Sequence, residues 1–588
     1  MSKAPNTKQF WSAIKSLNGS CASRVPTLSC NTGLGTITDD KQKVKVLNEF
    51  FHSCFNTALP PLTQEEDPEP IVPALCPEDL LCTEEEVLDL LQQLDTSKSS
   101  GPDGISAKML KGVASSLAPV LVQIFNLSIL DAKVPSQWKF SRVVPIPKGS
   151  STNPSPSNFR PISLLSITSK LLEKVIHSRV MSYLEVSSPI ATNQWGFLPG
   201  RSTTHALLSA VHHWMSEMED RNEVAAVFFD LTKAFDSVPH RQLLTKLETI
   251  GLDEHLILWI TDYLTNRCQS VVLNGETSTA LPVISGVPQG SVLGPLLFLL
   301  YVNDINDLSL SEGSKLVMYA DDILSLLYRP ENDFTLLQHD VDALGVWSLL
   351  NHLSFNASKC KSMVLSRKRL KTQPMPIHLL GSFLERVDSF KYLGLKIKCD
   401  LTWTDHIKGI CSKARRFVGL LFRQFYHYAE PSTIKILYLT LIRPNLEYAS
   451  TIWDPYLIKD CKLIEDFQKF ACKICVKDWH LDYEEMLGRL HIPRLDTRRK
   501  ALRLCLLYKL IDHNSSTPQI TSINWRSCPY ETRLNHSRQL HYQTGHSSRY
   551  LNSFFPRTIN EWNKLSNDIV SCSNVGRFKT KLYQFMFS

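Results

Sequence analysis

The stretch Lys315-Leu316-Val317-Met318-Tyr319-Ala320-Asp321-Asp322-Ile323-Leu324-Ser325-Leu326-Leu327-Tyr328 decides how this chain folds. Both flanks are apolar and rich in strand-forming side chains, so the segment reads as a hairpin with two carboxylates at its tip. Adjacent carboxylates repel, and two of them at one buried turn imply a cation. A solvent-exposed Asp-Asp turn is the bland alternative, and Asp39-Asp40 reads as one. Upstream, Val224–Phe229 is an apolar, buried-looking strand that ends in Asp230. If the two strands are sheet neighbours, Asp230 faces Asp321 and Asp322. Three carboxylates are what two divalent cations need to activate a hydroxyl and neutralise a leaving phosphate. A strand-end cap is the structural alternative for Asp230, and Asp236 fits either role.

Between these strands lies Ser285-Gly286-Val287-Pro288-Gln289-Gly290-Ser291, followed by the apolar run Val292–Val302. Glycines at both ends let the backbone pass close to a ligand, and Gln289 can reach a base, sugar or phosphate. A Gly/Pro turn opening a core helix explains the same residues. Helical patterns alternate with β-like runs at Val143–Ile146, Val224–Leu231, Gln269–Leu273 and Tyr392–Ile397, pointing to an α+β or α/β core. Thr83–Glu86 reads as a capping box opening a helix, and residues 60–79, with six prolines and clustered acids, as a linker. Beyond about 400 the pattern turns helical and basic, as in Ile407–Phe422, Asp466–Val476 and Arg498–Ile511.

With 588 residues, 43% apolar and 21% charged, the chain has the balance of a globular protein of about three or four domains or subdomains. Its longest apolar run is too short to cross a bilayer, and the start MSKAPNTKQFW has no signal region. The fifteen cysteines follow no repeating pattern and read as reduced thiols of the nucleus or cytoplasm. Membrane proteins, secreted disulfide scaffolds and collagen-like chains are thereby excluded. Residues 401–588 carry 28 Lys and Arg against 16 Asp and Glu, whereas residues 1–400 carry 36 against 41. A basic C-terminal third suits a polyanion, although a solvated charged surface accounts for it equally.

Taken in order, Asp230…Phe235, Pro288-Gln289-Gly290 and Tyr319-Ala320-Asp321-Asp322 resemble the palm motifs of reverse transcriptases. More narrowly, the chain resembles the non-LTR (LINE-type) retrotransposon polymerases of the jockey and chicken-repeat group. Lys98–Ile105, Val144–Ser163, Asn193–Ser202, Phe390–Gly394, Leu446–Asp454 and Phe554–Leu565 carry the resemblance over most of the sequence. It implies an α+β right-hand polymerase with fingers, palm, thumb and a mainly helical C-terminal region. The matching bounds are a connector over 1–59, the linker, fingers and palm over 80–400, a thumb over 401–480 and a basic nucleic-acid-binding region over 481–588.

The same resemblance implies RNA-directed DNA synthesis by phosphoryl transfer, with an RNA template, a DNA primer or target, and dNTPs as partners. Asp230, Asp321 and Asp322 would hold two Mg²⁺ ions, and Lys148 and Arg160 the triphosphate. Phe235 would lie beneath the sugar and leave no room for a 2′-hydroxyl. Gln289 with Gly290 would meet the template or incoming nucleotide, and Lys359 would protonate the departing pyrophosphate. Core packing is the structural reading of Phe235, and a surface lysine that of Lys359. Cys461, Cys472, Cys475 and His480 invite a zinc reading, against helix packing. Arg498, Arg499, Lys500, Arg549 and Trp562 are expected to grip nucleic acid. The family's endonuclease, and any RNase H segment, are not found, so the chain reads as a fragment or a truncated copy. A non-catalytic nucleic-acid-binding remnant and a poorly folding reading frame are the rival readings.

Overall fold

A run such as Val224-Ala225-Ala226-Val227-Phe228-Phe229 has no polar face to turn to water, so it belongs in the middle of a covered sheet. The computed structural model places it there: all six residues are buried. The structure describes residues 25–29, 36–56, 77–149, 154–186, 190–219, 223–329, 335–367 and 375–512, and, beyond these, 518, 520–521, 523–526, 536 and 538–587. The first 24 residues and the linker expected over 60–79, up to residue 76, lie outside them.

The described chain divides into two compact units, and neither is a continuous stretch. One comprises the residues up to Ala191 with Leu231–Asp307 and Val346–Ser354; the other comprises Thr192–Asp230, Leu308–Gly345 and everything from Phe355. The chain leaves and re-enters each unit, so contiguous sequence blocks do not map onto them.

In the first unit, strand Phe140–Pro147 pairs antiparallel with Phe159–Leu164 and parallel with Arg267–Leu273. Val143, Phe159, Val271 and Leu273 from this sheet share a core with Val25, Leu28, Ile37, Val44, Leu47 and Phe51. The last three of these lie on helix Asp40–His52, whose N-cap Asp39 accepts from the Gln42 amide at 2.9 Å. Asp39-Asp40 is therefore a helix start rather than a turn, because the side chain satisfies an otherwise orphaned amide. Thr83 likewise caps helix Glu84–Gln92, accepting from Glu86 N at 3.2 Å. The Glu86 carboxylate forms an ion pair with Arg179 at 2.7 Å. The apolar run after Gln289 becomes helix Leu293–Tyr301, buried at every residue but Pro295, whose first turn is capped by the buried Glu173 carboxylate, 2.7 Å from Val292 N.

In the second unit, a four-stranded antiparallel sheet runs in the order Lys361–Leu365, Glu223–Asp230, Asp322–Arg329, Ser314–Tyr319. Tyr392–Ile397, read as one strand, is instead a hairpin of Ser389–Tyr392 and Leu395–Lys398 turning at Leu393-Gly394. Leucine is no turn former, so the apolar pattern concealed the reversal. From Thr404 the described residues are mainly helical, with Thr404–Phe425, Ile458–Val476 and Leu495–Ile511 the longest helices. No helix among the described residues is long and apolar enough to cross a membrane.

Candidate active site

The hairpin Ser314–Arg329 and strand Glu223–Asp230 are hydrogen-bonded neighbours, and their register sets Asp322 directly opposite Asp230. Lys359 Nζ lies 2.9 Å from Asp230 Oδ2. The Asp322 carboxyl is pushed up to about 7 by burial, then by the negative charges of Asp321 and Asp230, with Lys359 pulling the other way. Excess negative charge of this kind is what a bound cation relieves, and an all-oxygen donor set suits a hard divalent ion. Among the described residues no three His, Cys, Asp or Glu side chains are gathered closely enough to grip an ion as they stand. The counter-charge nearest Asp230 is Lys359. Asp230 and Asp322 line a groove of about 400 Å³ together with Lys359, Phe228, Phe390 and Lys391.

The carboxylate turn is held from behind. Ala320 takes a left-handed φ of +56°, which costs a residue with a Cβ and has to be stabilised by its surroundings. Gln194 supplies that: its buried Oε1 accepts from both Ala320 N and Gly196 N, each at 2.9 Å. Trp195 N donates to Met318 O at 2.8 Å, tying the same segment to the outer strand. Gly196 is required here, because a Cβ on it would lie 2.6 Å from Ala320 N. The motif Asn193–Ser202 is legible in the sequence, but nothing in residue type shows that Gln194 fastens this turn.

The residues expected at the nucleotide belong to the other unit. Lys148 follows strand Phe140–Pro147, and its Nζ donates to Ser157 O at 2.9 Å. Arg160 is exposed on the paired strand, opposite Ile146. The Phe235 ring stacks on Phe298 with centroids 4.4 Å apart, so the packing role is realised on at least one face. Gln289 Nε2 donates to Asp236 Oδ1 at 2.7 Å, a contact the sequence reading did not foresee. Burial raises the Asp236 carboxyl to about 6, against the pull of Gln289, Lys233 and Lys148. Gly286 and Gly290, expected to let backbone approach a ligand, admit protein backbone instead. A Cβ at Gly290 would lie 2.5 Å from Ser163 O, and one at Gly286 2.7 Å from Asp236 Cα. Lys233, also unforeseen, lies 4.6 Å above the ring of Phe50 from helix Asp40–His52. Asn56 N, just beyond that helix, donates to Ser285 Oγ at 2.7 Å.

Part of the expected C-terminal grip is corrected. Arg499 and Trp562 are fully buried. Arg499 Nε bonds Asp454 at 2.6 Å, Arg498 pairs with Glu447, and Arg549 donates to Asp400 O. The three arginines have internal partners, and Arg499, fully buried, has its charge neutralised where it sits. Cys472 and Cys475 are buried in helix Ile458–Val476, where burial pushes the Cys475 thiol up to about 12. Cys461 Sγ bonds the Pro455 carbonyl at 3.3 Å.

Residues 146–397 match the family described as "Reverse transcriptase (RNA-dependent DNA polymerase)". The similarity extends further, to polymerases from transposons and a mobile element of Drosophila melanogaster. The probable RNA-directed DNA polymerase from transposon X-element is 26% identical over 87% of this chain and 56% of its own length. The corresponding protein from transposon BS is 30% identical over 63% of this chain and 42% of its own. The RNA-directed DNA polymerase from mobile element jockey is 26% identical over 74% and 48%. The resemblance to the jockey group is thus borne out, and the chain spans about half the length of the curated relatives it matches.

Proposed function

We propose that this chain is an RNA-directed DNA polymerase, the activity for which its relatives are named, and that it extends a primer 3′-hydroxyl with dNTPs on an RNA template. One observation carries the reading: strand register places Asp322 opposite Asp230 at the mouth of a groove, beside the Asp321 turn. Asp230, Asp321 and Asp322 would hold two Mg²⁺ ions. Such ions, when bound, supply charge neutralisation at the attacking hydroxyl and the leaving pyrophosphate. The chain's own residues orient the reactants. Gln194 keeps the Ala320-Asp321 turn in its left-handed form, and Lys359 provides positive charge at Asp230 until the site is loaded. Lys148, just past strand Phe140–Pro147, and Arg160, on the strand paired with it, would supply positive charge to the triphosphate, and Phe235, backed by Phe298, would lie under the sugar. An intracellular setting, in nucleus or cytoplasm, follows from that substrate.

The test is dNTP incorporation on a poly(rA)/oligo(dT) duplex with Mg²⁺, for wild type, Asp321→Ala/Asp322→Ala and Phe235→Ala. The double variant is expected to lose at least about 10³-fold, the scale of removing a main electrostatic stabiliser. Phe235→Ala is expected to gain rNTP use. A folded, RNA-binding wild type that incorporates nothing would put the non-catalytic remnant in place of the polymerase.

A further inference from the structure

Tyr448 belongs to Leu446-Glu447-Tyr448-Ala449-Ser450, beyond the matched domain, and the polymerase reading assigns it no task. Its hydroxyl donates to the Leu393 carbonyl at 2.7 Å and shares a 3.2 Å hydrogen bond with Thr203 Oγ1. Leu393 and Gly394 form the turn between Ser389–Tyr392 and Leu395–Lys398, and both are left-handed, at φ +43° and +85°. A leucine takes that conformation only against its own Cβ, so the turn needs an external hold. The Tyr448 ring lies close against it: a Cβ on Gly394 would lie 3.0 Å from Tyr448 Cε1.

Tyr448 is itself anchored. The fully buried Trp453 donates its indole N–H to the Tyr448 carbonyl at 2.8 Å. The next residue, Asp454, is gripped by Arg499 and Arg503 at 2.6 and 2.9 Å. On the other side, the hairpin carries Phe390, stacked at 4.3 Å on Phe228, two residues before Asp230 on the central strand. A continuous set of contacts therefore runs from the C-terminal helices to the wall of the carboxylate groove.

We propose that Tyr448 is a positioning residue whose bond to the Leu393 carbonyl fixes the Ser389–Lys398 hairpin, and with it the Phe390 wall against which a primer terminus is seated. The primer part rests on the polymerase reading; the brace itself does not.

The experiment combines amide hydrogen exchange of the full chain with single-nucleotide primer extension on an RNA template in Mg²⁺, for wild type, Tyr448→Phe and Tyr448→Leu. Tyr448→Phe keeps the ring and loses only the hydroxyl. It is expected to speed exchange over residues 389–398 by about tenfold, the scale of one lost hydrogen bond. Exchange over Glu223–Asp230 should stay unchanged, extension should slow with a weaker KM for primer–template, and the dNTP KM should hold. Tyr448→Leu should show the same pattern more strongly. Unchanged hairpin exchange in Tyr448→Phe, exchange that rises equally across the central sheet, or a change in dNTP KM alone overturns the proposal. If wild type incorporates nothing, the polymerase reading falls and the exchange arm decides the brace by itself.

Discussion

At the scale of single residues, Asp236 is an acid whose surroundings oppose its charge. Asp236 is half-buried, and the loss of water around its carboxyl raises the pKa to about 6 from the ordinary 3.8. A raised folded-state pKa means the native protein holds the proton more tightly than the unfolded chain. The associated stability is complete below about pH 3.8 and is lost as pH rises through about 6. Asp236→Asn keeps an oxygen for the Gln289 amide and carries no charge. We expect it to be more stable than wild type at pH 8 by up to about 3 kcal/mol, with the gap closing near pH 4. Urea unfolding at the two pH values measures this. A less stable Asn variant at pH 8 would mean that the ionised carboxylate has a stronger partner than Gln289. The sequence left Asp236 open between site and scaffold because burial is decided by neighbours far away in the chain.

At the scale of elements, the carboxylate hairpin and its central strand were readable because their apolar periodicity is strong and their acids stand at strand ends. The helices beyond residue 400 were readable as helices, but not by what they face. Asp454, between short helix Ser450–Trp453 and the rest of the chain, accepts from Arg499 and Arg503 of helix Leu495–Ile511 and from Arg557 of helix Phe554–Trp562. Sequence alone shows basic residues and suggests a polyanion outside; the fold supplies an internal carboxylate to Arg499, Arg503 and Arg557. Asp454→Ala would leave Arg499 and Arg503 buried without that partner, a loss of about 3–5 kcal/mol. Thermal unfolding should fall accordingly. RNA affinity, measured on protein still folded at low temperature, should stay within about twofold, since a residue tied inside contributes little to phosphate binding. A large loss of affinity with unchanged melting would return these arginines to the nucleic-acid face.

At the scale of the whole molecule, the matched segment 146–397 takes residues from both units and leaves part of the first unit's core outside it. Its own Phe159, Val271 and Leu273 share a core with Val143 and with Val25, Leu28, Ile37, Val44, Leu47 and Phe51, all outside the matched segment. Removing six such side chains forfeits about 1.5–3 kcal/mol each, which is comparable with the whole stability of a typical domain. The isolated 146–397 fragment is therefore expected to lack a cooperative melting transition, whereas the full chain shows one. Calorimetry of the two distinguishes these outcomes, and a sharp transition in the fragment would show that the N-terminal residues merely decorate the sheet.

The sequence by itself determined the secondary elements with strong periodicity, the order of motifs and the identity of the acids, because those follow from local patterning and from which residue types a chemistry requires. Only the tertiary structure decided that Asp322 stands opposite Asp230, that Gln194 and Tyr448 hold two strained turns, that Gln289 is spoken for by Asp236, and that Arg499 and Trp562 face inward. Each of these depends on residues brought together across long stretches of chain, where register, burial and hydrogen-bond pairing are set by packing and leave no mark on the local sequence.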